Sequence, residues 1–268
     1  MLVDTHVHVI SPDEERYPLQ PTSLTGPWYR DEPCSLGRLI ELMDDAGVDR
    51  AVLVQPVSAY GFDNRYTADS ARARPDRCTS VACIDPGGAD PAAELRAVVE
   101  SDGMRGLRWW GLAGAGVAEP RSLWDEATAL GIPVVVTIFA DRLRELAATL
   151  EHVRAVPVAV DHCGFADFGA GVPPELAALV EFPNLHLKVS THVLHDAEQH
   201  GDVRDLVADL AARFGANRLM WGSDWSQTHY LPYPDLVEYG RRAASKLADD
   251  ERDAFLGATA IGMWPELA

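Results

Sequence analysis

The first ten residues, MLVDTHVHVI, place two histidines and an aspartate in a segment that otherwise has the composition of a buried β-strand. Successive side chains of a strand point to opposite faces, so the spacing predicts that Asp4, His6 and His8 share one face. A buried polar group without a hydrogen-bond partner costs about 1–3 kcal/mol, so the two imidazoles need polar partners. We expect other parts of the chain to supply the groups on which these rings converge.

Further polar residues lie near the ends of other apolar segments, among them Gln55, Arg108, Asp161, His162, Lys188, Ser190 and Asp224. Three histidines and an aspartate at the same end of different strands are hard to explain by packing alone, and they predict a functional site. The expected catalytic residues are His6, His8, His162 and Asp224. The expected substrate contacts are Gln55, Arg108, Lys188 and Trp225.

Two chemistries fit these residues. His6, His8, His162 and Asp224 are suitable ligands for a divalent metal ion such as zinc or manganese, which would polarise a carbonyl and acidify a water. In the alternative no metal binds, Asp224 is the general base, and the histidines donate hydrogen bonds to an oxyanion. Arg108 is expected to bind a substrate carboxylate through paired hydrogen bonds, with a structural salt bridge as the alternative.

The remaining histidines have weaker patterns. His152 is predicted to be solvated, His186 to lie in the core and His229 to lie at the rim of the site. The stretch THVLHDAEQH has no recognisable ligand spacing, so the roles of its histidines stay open; they are His192, His195 and His200.

Eight short, nearly continuous apolar segments recur along the chain, as expected for strands buried on both faces. They begin at residues 2, 51, 79, 104, 133, 157, 184 and 218. Amphipathic helical patterns lie between them, and one begins after the N-cap residue Ser35 and ends at Gly47. This alternation predicts an α/β protein with a single-domain (β/α)8 TIM barrel over residues 1–268, with a doubly wound open sheet as the alternative.

The first gap between predicted strands is different from the others. Residues 11–34 are rich in proline and turn-forming residues, and they follow the first strand on the side of a barrel where loops build active sites. The segment is predicted to be a lid-like insertion that walls the substrate, with a variable surface insertion as the alternative.

The chain is strongly acidic: its 268 residues include 23 Lys and Arg against 41 Asp and Glu, for a net charge of −18. Such a body repels nucleic acid and anionic membranes, and neither is an expected partner. The expected partner is a small molecule with a carboxylate or several hydroxyls, and an anionic one would need a local cationic pocket against this field. The four cysteines fit no metal-binding spacing and indicate free thiols. Without a targeting or membrane-spanning segment, we expect a cytoplasmic protein, and a homo-oligomer stays open.

Taken in order, the motifs VDTHVH, VLVQPVSAYGFDNRY, GLRWW, VAVDHCG and LMWGSDW resemble the amidohydrolase superfamily. They are most similar to its branch of 2-pyrone-4,6-dicarboxylate lactonases and sugar-lactone lactonases. This resemblance implies a hydrolase that opens a small lactone or cyclic ester, namely a sugar lactone or a pyrone or muconolactone carboxylate. It assigns His6 and His8 to the first strand, His162 to the sixth, Asp224 to the eighth as the base, and Arg108 to a fourth-strand arginine.

The chain departs from that pattern on two strands. Many metal-dependent amidohydrolases carry a lysine or glutamate on the fourth strand and a histidine on the fifth, where this chain has Arg108 and Thr137. We therefore expect at most one weakly held ion, and the dicarboxylate-lactonase type implies that the metal is dispensable. The alternative functions are a metal-dependent decarboxylase of an aromatic or dienoic acid and a catalytically inactive barrel that only binds a ligand.

Overall fold

The structure, a computed structural model, describes residues 1–22, 26–110 and 121–268. Eight parallel strands follow one another in sequence order in one sheet, and each coincides with a predicted apolar segment. The strands are β1 (Val3–Val7), β2 (Arg50–Val54), β3 (Cys78–Cys83), β4 (Leu107–Trp110), β5 (Val134–Thr137), β6 (Val158–Val160), β7 (Leu185–Ser190) and β8 (Leu219–Gly222). A parallel bridge between Val7 and Trp225 joins the two ends of the sheet, so the predicted TIM barrel is confirmed.

Helices surround the barrel in the described part of the chain. They are α1 (Trp28–Asp31), α2 (Leu36–Ala46), α3 (Val57–Tyr60), α4 (Arg65–Ala73), α5 (Pro91–Glu100), α6 (Arg121–Leu130), α7 (Leu143–Leu150), α8 (Pro174–Ala177), α9 (Thr191–Glu198), α10 (Val203–Phe214), α11 (Tyr233–Ala243), α12 (Asp249–Asp253) and α13 (Thr259–Met263). The predicted ends of α2 are confirmed: the Ser35 hydroxyl accepts a hydrogen bond from the amide of Arg38, and Gly47 adopts the left-handed conformation. None of these helices is both long and apolar enough to cross a membrane.

The core has two layers separated by the sheet. Most apolar side chains pack between the outer face of the strands and the helices. A smaller cluster fills the inside of the barrel with Val3, Val52, Val54, Val81, Val135, Ala159 and Met220. Residues of the carboxyl-terminal segment, including Met263 and Trp264, pack onto this inner cluster. The end of the barrel that faces the carboxyl-terminal segment is therefore filled with apolar side chains. The polar residues inside the barrel lie toward its other end.

The described part of the predicted lid-like insertion packs onto the barrel, whereas residues 23–25 of that prediction lie outside the described residues. Tyr17, Trp28 and Tyr29 are buried together with Ala59 and Tyr60 of α3. The Trp28 indole donates a hydrogen bond of 3.0 Å to the Ser58 hydroxyl. The aromatic residues of the segment therefore form a small core of their own beside the first two strands.

Candidate active site

A β-bulge in the first strand directs His6 and His8 into the barrel. Asp4 pairs with Ala51 and Val7 pairs with Leu53, so three steps along β1 match two steps along β2. Ala51 and Leu53 both face the helices. Val7 therefore faces the helices as well, and its neighbours His6 and His8 point to the inside.

The same bulge corrects the prediction that Asp4 shares a face with the two histidines. Because Asp4 pairs with Ala51, its carboxylate points toward the helices and accepts hydrogen bonds from the Ser223 amide (2.8 Å) and the Tyr233 hydroxyl (3.1 Å). Burial raises the pKa of Asp4 to about 6, although these hydrogen bonds oppose the shift. Asp4 thus ties β1 to the segment after β8 and does not take part in the cluster of histidines.

The sixth strand ends at Val160, and a left-handed turn carries the next functional residues. His162, Cys163, Gly164 and Phe165 have φ values of 55°, 49°, 68° and 51°. Non-glycine residues seldom adopt this conformation, and such residues are concentrated at functional sites. The turn brings both Asp161 and His162 to the site, although neighbours on a regular strand would face opposite sides. Asp224, just after β8, has a φ of 62°.

Asp224 lies at the centre of the histidines. Its Oδ1 is 3.6 Å from Nε2 of His6 and 3.5 Å from Nε2 of His8. The other nitrogen of each ring has a separate partner: His6 Nδ1 lies 3.1 Å from an Asp161 oxygen, and His8 Nδ1 lies 2.8 Å from the Val54 carbonyl oxygen. Both partners are acceptors, so each ring, when neutral, donates from Nδ1 and has the lone pair of Nε2 toward Asp224.

The second oxygen of Asp224 faces another pair of histidines. Oδ2 accepts a hydrogen bond of 2.9 Å from the Thr228 hydroxyl and lies 3.6 Å from Nδ1 of His192. The rings of His162 and His192 are 4.5 Å apart, and the Ser190 hydroxyl lies 2.9 and 3.2 Å from their Nδ1 atoms. The structure therefore adds His192, whose role the sequence left open. Its side chain is 23% exposed, whereas those of His6 and His8 are at most 1% exposed.

Asp161 also belongs to the site, and sequence reasoning gave it no role beyond its place beside His162. Its carboxylate contacts His6, Lys188, Thr137 and Arg108. Burial alone would raise the pKa of Asp161, but Lys188, the His6 hydrogen bond and Arg108 hold it well below its usual range. The sequence feature that indicates Asp161 is its position at the end of an apolar segment, directly before His162.

Burial sets the charge states of the central groups. It lowers the pKa of His6 to about 3, although Asp161 opposes the shift, and it lowers the pKa of His162 well below its usual range. For Asp224, burial would raise the pKa, but the neighbouring histidines, led by His162, hold it well below its usual range. At neutral pH the site therefore contains ionised Asp161 and Asp224 together with neutral His6 and His162.

The structure brings two of the four expected substrate contacts, Arg108 and Lys188, close to this cluster, and both have partners within the protein. Arg108 is 4% exposed and donates to the Thr137 hydroxyl (3.0 Å) and the Gln55 carbonyl oxygen (2.8 Å). Lys188 is fully buried, with Nζ 3.3 Å from Asp161 Oδ1. The contacts of Arg108 correspond to the alternative prediction for this residue, a structural salt bridge, here with Asp161.

Two other expected contacts point away from the cluster. The side-chain amide of Gln55 donates to the carbonyl oxygens of Gly61 and Asp63, and its oxygen accepts from the Thr67 hydroxyl of α4. The Trp225 ring packs against Tyr233 of α11, on the helix side of the sheet. The structure does not bring either side chain to Asp224.

The other histidines lie outside the cluster. His152, His195, His200 and His229 are exposed, and His186 is half-buried on β7 with Nδ1 3.2 Å from the Asn184 carbonyl oxygen. The Trp28 ring, in contrast, lies 5.3 Å from the ring of His8. Part of the predicted lid-like insertion therefore forms one wall beside the cluster.

The donor atoms fit a single divalent ion. His6, His8 and Asp224 each offer one atom within 4.8 Å of the others, and His6 Nε2 and Asp224 Oδ1 have no hydrogen-bond partner among the described residues. Two tetrahedral zinc ligands at about 2.0–2.1 Å from the ion lie roughly 3.3 Å apart, close to the 3.5 and 3.6 Å found here. Partners that fix Nδ1 of each ring are also typical of metal sites.

Comparison with known proteins places this chain in a family. The sequence matches the Amidohydrolase family over residues 3–265. It is 26% identical over 241 residues to a 4-sulfomuconolactone hydrolase of Rhizobium radiobacter, covering 85% of this chain and 76% of that protein. It is 30% identical over 205 residues to an L-fucono-1,5-lactonase of Burkholderia ambifaria, covering 69% of this chain and 67% of that protein.

Solved structures show the same fold. A proposed 2-pyrone-4,6-dicarboxylic acid hydrolase of Pseudomonas putida superposes with a TM-score of 0.80 at 23% identity, covering 100% of this chain and 98% of that one. An amidohydrolase of Burkholderia multivorans with bound zinc superposes with a TM-score of 0.77 at 22% identity, covering 99% of each chain. Since the family match spans nearly the whole sequence, this chain belongs to the Amidohydrolase family.

Proposed function

We propose that this protein is a hydrolase that opens a small lactone by attack of water on the ring carbonyl. The observation that carries the proposal is the position of the Asp224 carboxylate, whose Oδ1 has no hydrogen-bond partner among the described residues and lies 3.6 and 3.5 Å from Nε2 of His6 and His8. Support comes from the two curated relatives, both of which are named as enzymes that act on lactones.

In the proposed reaction Asp224 is the general base. The Asp224 carboxylate takes a proton from the attacking water, the water oxygen bonds to the carbonyl carbon, and the bond from that carbon to the ring oxygen breaks. The proton on Asp224 then passes to the departing alkoxide, which leaves a hydroxy acid. The Thr228 hydroxyl donates a hydrogen bond to Oδ2 and keeps the carboxylate oriented with Oδ1 toward the reacting atoms.

The tautomers of the histidines favour a metal over a metal-free oxyanion site. Because His6 and His8 donate from Nδ1 to protein acceptors, neither has a proton on Nε2 to offer to an oxyanion. We propose that His6, His8 and Asp224 hold one divalent ion, with His162 beside it. Such an ion, when bound, would polarise the ring carbonyl and acidify the water.

We propose a substrate with a carboxylate or several hydroxyls, as the two curated relatives suggest, a 4-sulfomuconolactone hydrolase and an L-fucono-1,5-lactonase. The cations nearest the site, Arg108 and Lys188, are buried and paired with Asp161. We propose that they balance the charge of the site, because the Arg108 guanidinium is already engaged by Asp161, Thr137 and the Gln55 carbonyl oxygen.

The test is a panel of aldonolactones, muconolactones and pyrone carboxylates assayed with the purified protein. Asp224→Asn should lower kcat by about 10²- to 10⁴-fold, because it removes the proton acceptor. Asp196→Asn is the matched control, since Asp196 is an exposed aspartate on α9, and it should leave kcat unchanged. If the wild type opens no lactone faster than the Asp224→Asn variant, the proposed function is wrong.

Two other outcomes would identify the alternative functions. Release of carbon dioxide from hydroxybenzoate-like acids, with no lactone opened, would indicate a decarboxylase. Saturable binding of a lactone without turnover would indicate a barrel that only binds its ligand.

The metal is tested separately by elemental analysis and chelation. We expect about one equivalent of zinc or manganese per chain after loading, because His6, His8 and Asp224 supply three protein ligands for one tetrahedral ion. Removal by a chelator should abolish activity, and return of the ion should restore it. Full activity in protein shown to be free of metal would contradict this part of the proposal.

A further inference from the structure

Asp161 is surrounded by four polar side chains inside the barrel, and we call these five residues the Asp161 cluster. Oδ1 lies 3.1 Å from His6 Nδ1 and 3.3 Å from Lys188 Nζ. Oδ2 accepts a hydrogen bond of 2.7 Å from the Thr137 hydroxyl and lies 3.5 Å from Arg108 Nη2. All five side chains are almost completely buried.

The fold alone gives no reason for this cluster. The layer beneath it is apolar, and the Lys188 ammonium lies 5.6 Å from the ring of Trp264 in that layer. Burying two cations and a carboxylate is costly, and apolar side chains of similar volume often stabilise a core as well or better. A role in the site would account for charges at this position.

His6 connects the cluster to the reacting centre. An ionised carboxylate offers only acceptors, so the contact between Asp161 and His6 requires the proton to be on Nδ1. The lone pair of His6 Nε2 then faces Asp224 Oδ1 at 3.6 Å. Lys188 and Arg108 favour the ionised form of Asp161, and the Thr137 hydroxyl fixes its second oxygen.

We propose that the Asp161 cluster is a positioning device that holds His6 in the tautomer with the proton on Nδ1. Asp161 is a positioning residue, because it acts on the reaction through His6. The proposal rests on the proposed use of His6 in lactone hydrolysis, but the tautomer is measured without any substrate.

The direct test is nuclear magnetic resonance of the full chain labelled with ¹⁵N-histidine, in which two-bond couplings report which ring nitrogen carries the proton. A His6→Asn variant assigns the His6 signals. In the wild type His6 should carry the proton on Nδ1. In Asp161→Ala the proton should move to Nε2, because the Asp224 carboxylate is then the acceptor within reach.

His8 is the internal control, since its Nδ1 partner is the Val54 carbonyl oxygen and does not change. If Asp161→Ala does not fold, the double variant Asp161→Ala with Lys188→Met removes the unpaired ammonium as well. A His6 proton on Nε2 in the wild type, or an unchanged tautomer in the folded variants, would overturn the proposal.

A milder pair of variants tests whether the Asp161 cluster affects zinc binding through His6. Thr137→Val removes the hydroxyl on Asp161 at nearly constant shape, and it should weaken zinc binding about fivefold, the effect of one hydrogen bond. Thr137→Ser keeps the hydroxyl and should restore the wild-type affinity. Zinc affinity is measured by competition with a chromophoric chelator.

Equal zinc affinity in the wild type and both Thr137 variants would mean that the cluster only supports the fold, and it would overturn the proposal. Failure of the proposed function gives a different pattern. In that case no lactone is opened, whereas the His6 tautomer still depends on Asp161.

Discussion

The Asp224 carboxylate is used unequally at its two oxygens. Oδ2 has the Thr228 hydroxyl and lies near His192, which is partly exposed to solvent. Oδ1 faces the nitrogen lone pairs of His6 and His8 and has no donor in the described structure. Acceptor atoms that converge in a buried place need a proton or a cation between them. Oδ1 is therefore the atom at which we expect the chemistry, and Oδ2 the atom that orients it.

His192 is the partly exposed histidine of this site, and we expect it to exchange a proton with Asp224. Its Nδ1 is 3.6 Å from Asp224 Oδ2, and its ring packs on His162. His192→Gln should therefore lower kcat on the order of 10²-fold, the usual contribution of an acid–base group. His195→Gln, an exposed histidine of the same helix, is the control and should change neither kcat nor KM. Equal steady-state kinetics in both variants would exclude His192 from the reaction.

The elements place these residues through irregular backbone at strand ends. The bulge in β1 turns His6 and His8 inward, and the left-handed turn after β6 presents Asp161 and His162 together. Regular strands would have sent neighbouring residues to opposite faces. The barrel holds the strands in place, and the bulge and the left-handed turn orient the side chains of the site.

Gly164 allows the turn after β6 to pass close to α7. Its φ is 68°, and an added Cβ would lie 3.2 Å from the Leu143 side chain. Gly164→Ala should lower the free energy of unfolding by about 1–2 kcal/mol, the cost of a left-handed residue with a side chain. It should also reduce kcat, because the turn carries His162.

Gly37→Ala is the matched control for that substitution. Gly37 lies within α2, and an added Cβ would contact nothing within 4 Å. Alanine there should raise the free energy of unfolding by about 0.5–1 kcal/mol. Urea denaturation of the three proteins gives the comparison, and equal changes for the two substitutions would show that the turn is not strained by a side chain.

The sequence predicted the strands well because each is buried on both faces and forms a nearly continuous apolar segment. The bulge in β1 was not predictable, since it depends on pairing with β2, and Asp4 was therefore placed on the wrong face. The contact of His192 with Asp224 depends on where α9 begins after β7, which no local pattern specifies. Gln55 and Trp225 were assigned to the site from their positions near strand ends, but both side chains have partners on the helix side.

At the scale of the whole molecule, the charge of the site differs from that of the surface. The net charge is −18, whereas in the site the buried cations Arg108 and Lys188 lie beside Asp161, and His6 lies between Asp161 and Asp224. The site is therefore close to neutral before an ion binds, and a divalent ion would make it positive. An anionic substrate is repelled at long range by the surface and attracted only near the site.

This separation predicts an unusual dependence on salt. The Debye length falls from about 30 Å at 0.01 M to about 8 Å at 0.15 M ionic strength, so salt screens the distant acidic surface more than the contacts within the site. For an anionic lactone, kcat/KM should rise roughly threefold to tenfold over this range, because association is no longer opposed by the surface. For a neutral aldonolactone it should stay constant, which controls for effects of salt on folding or chemistry. Initial rates at low substrate concentration measure both. A fall in kcat/KM for the anionic lactone would mean that positive charge at the mouth of the barrel dominates its approach, contrary to this prediction.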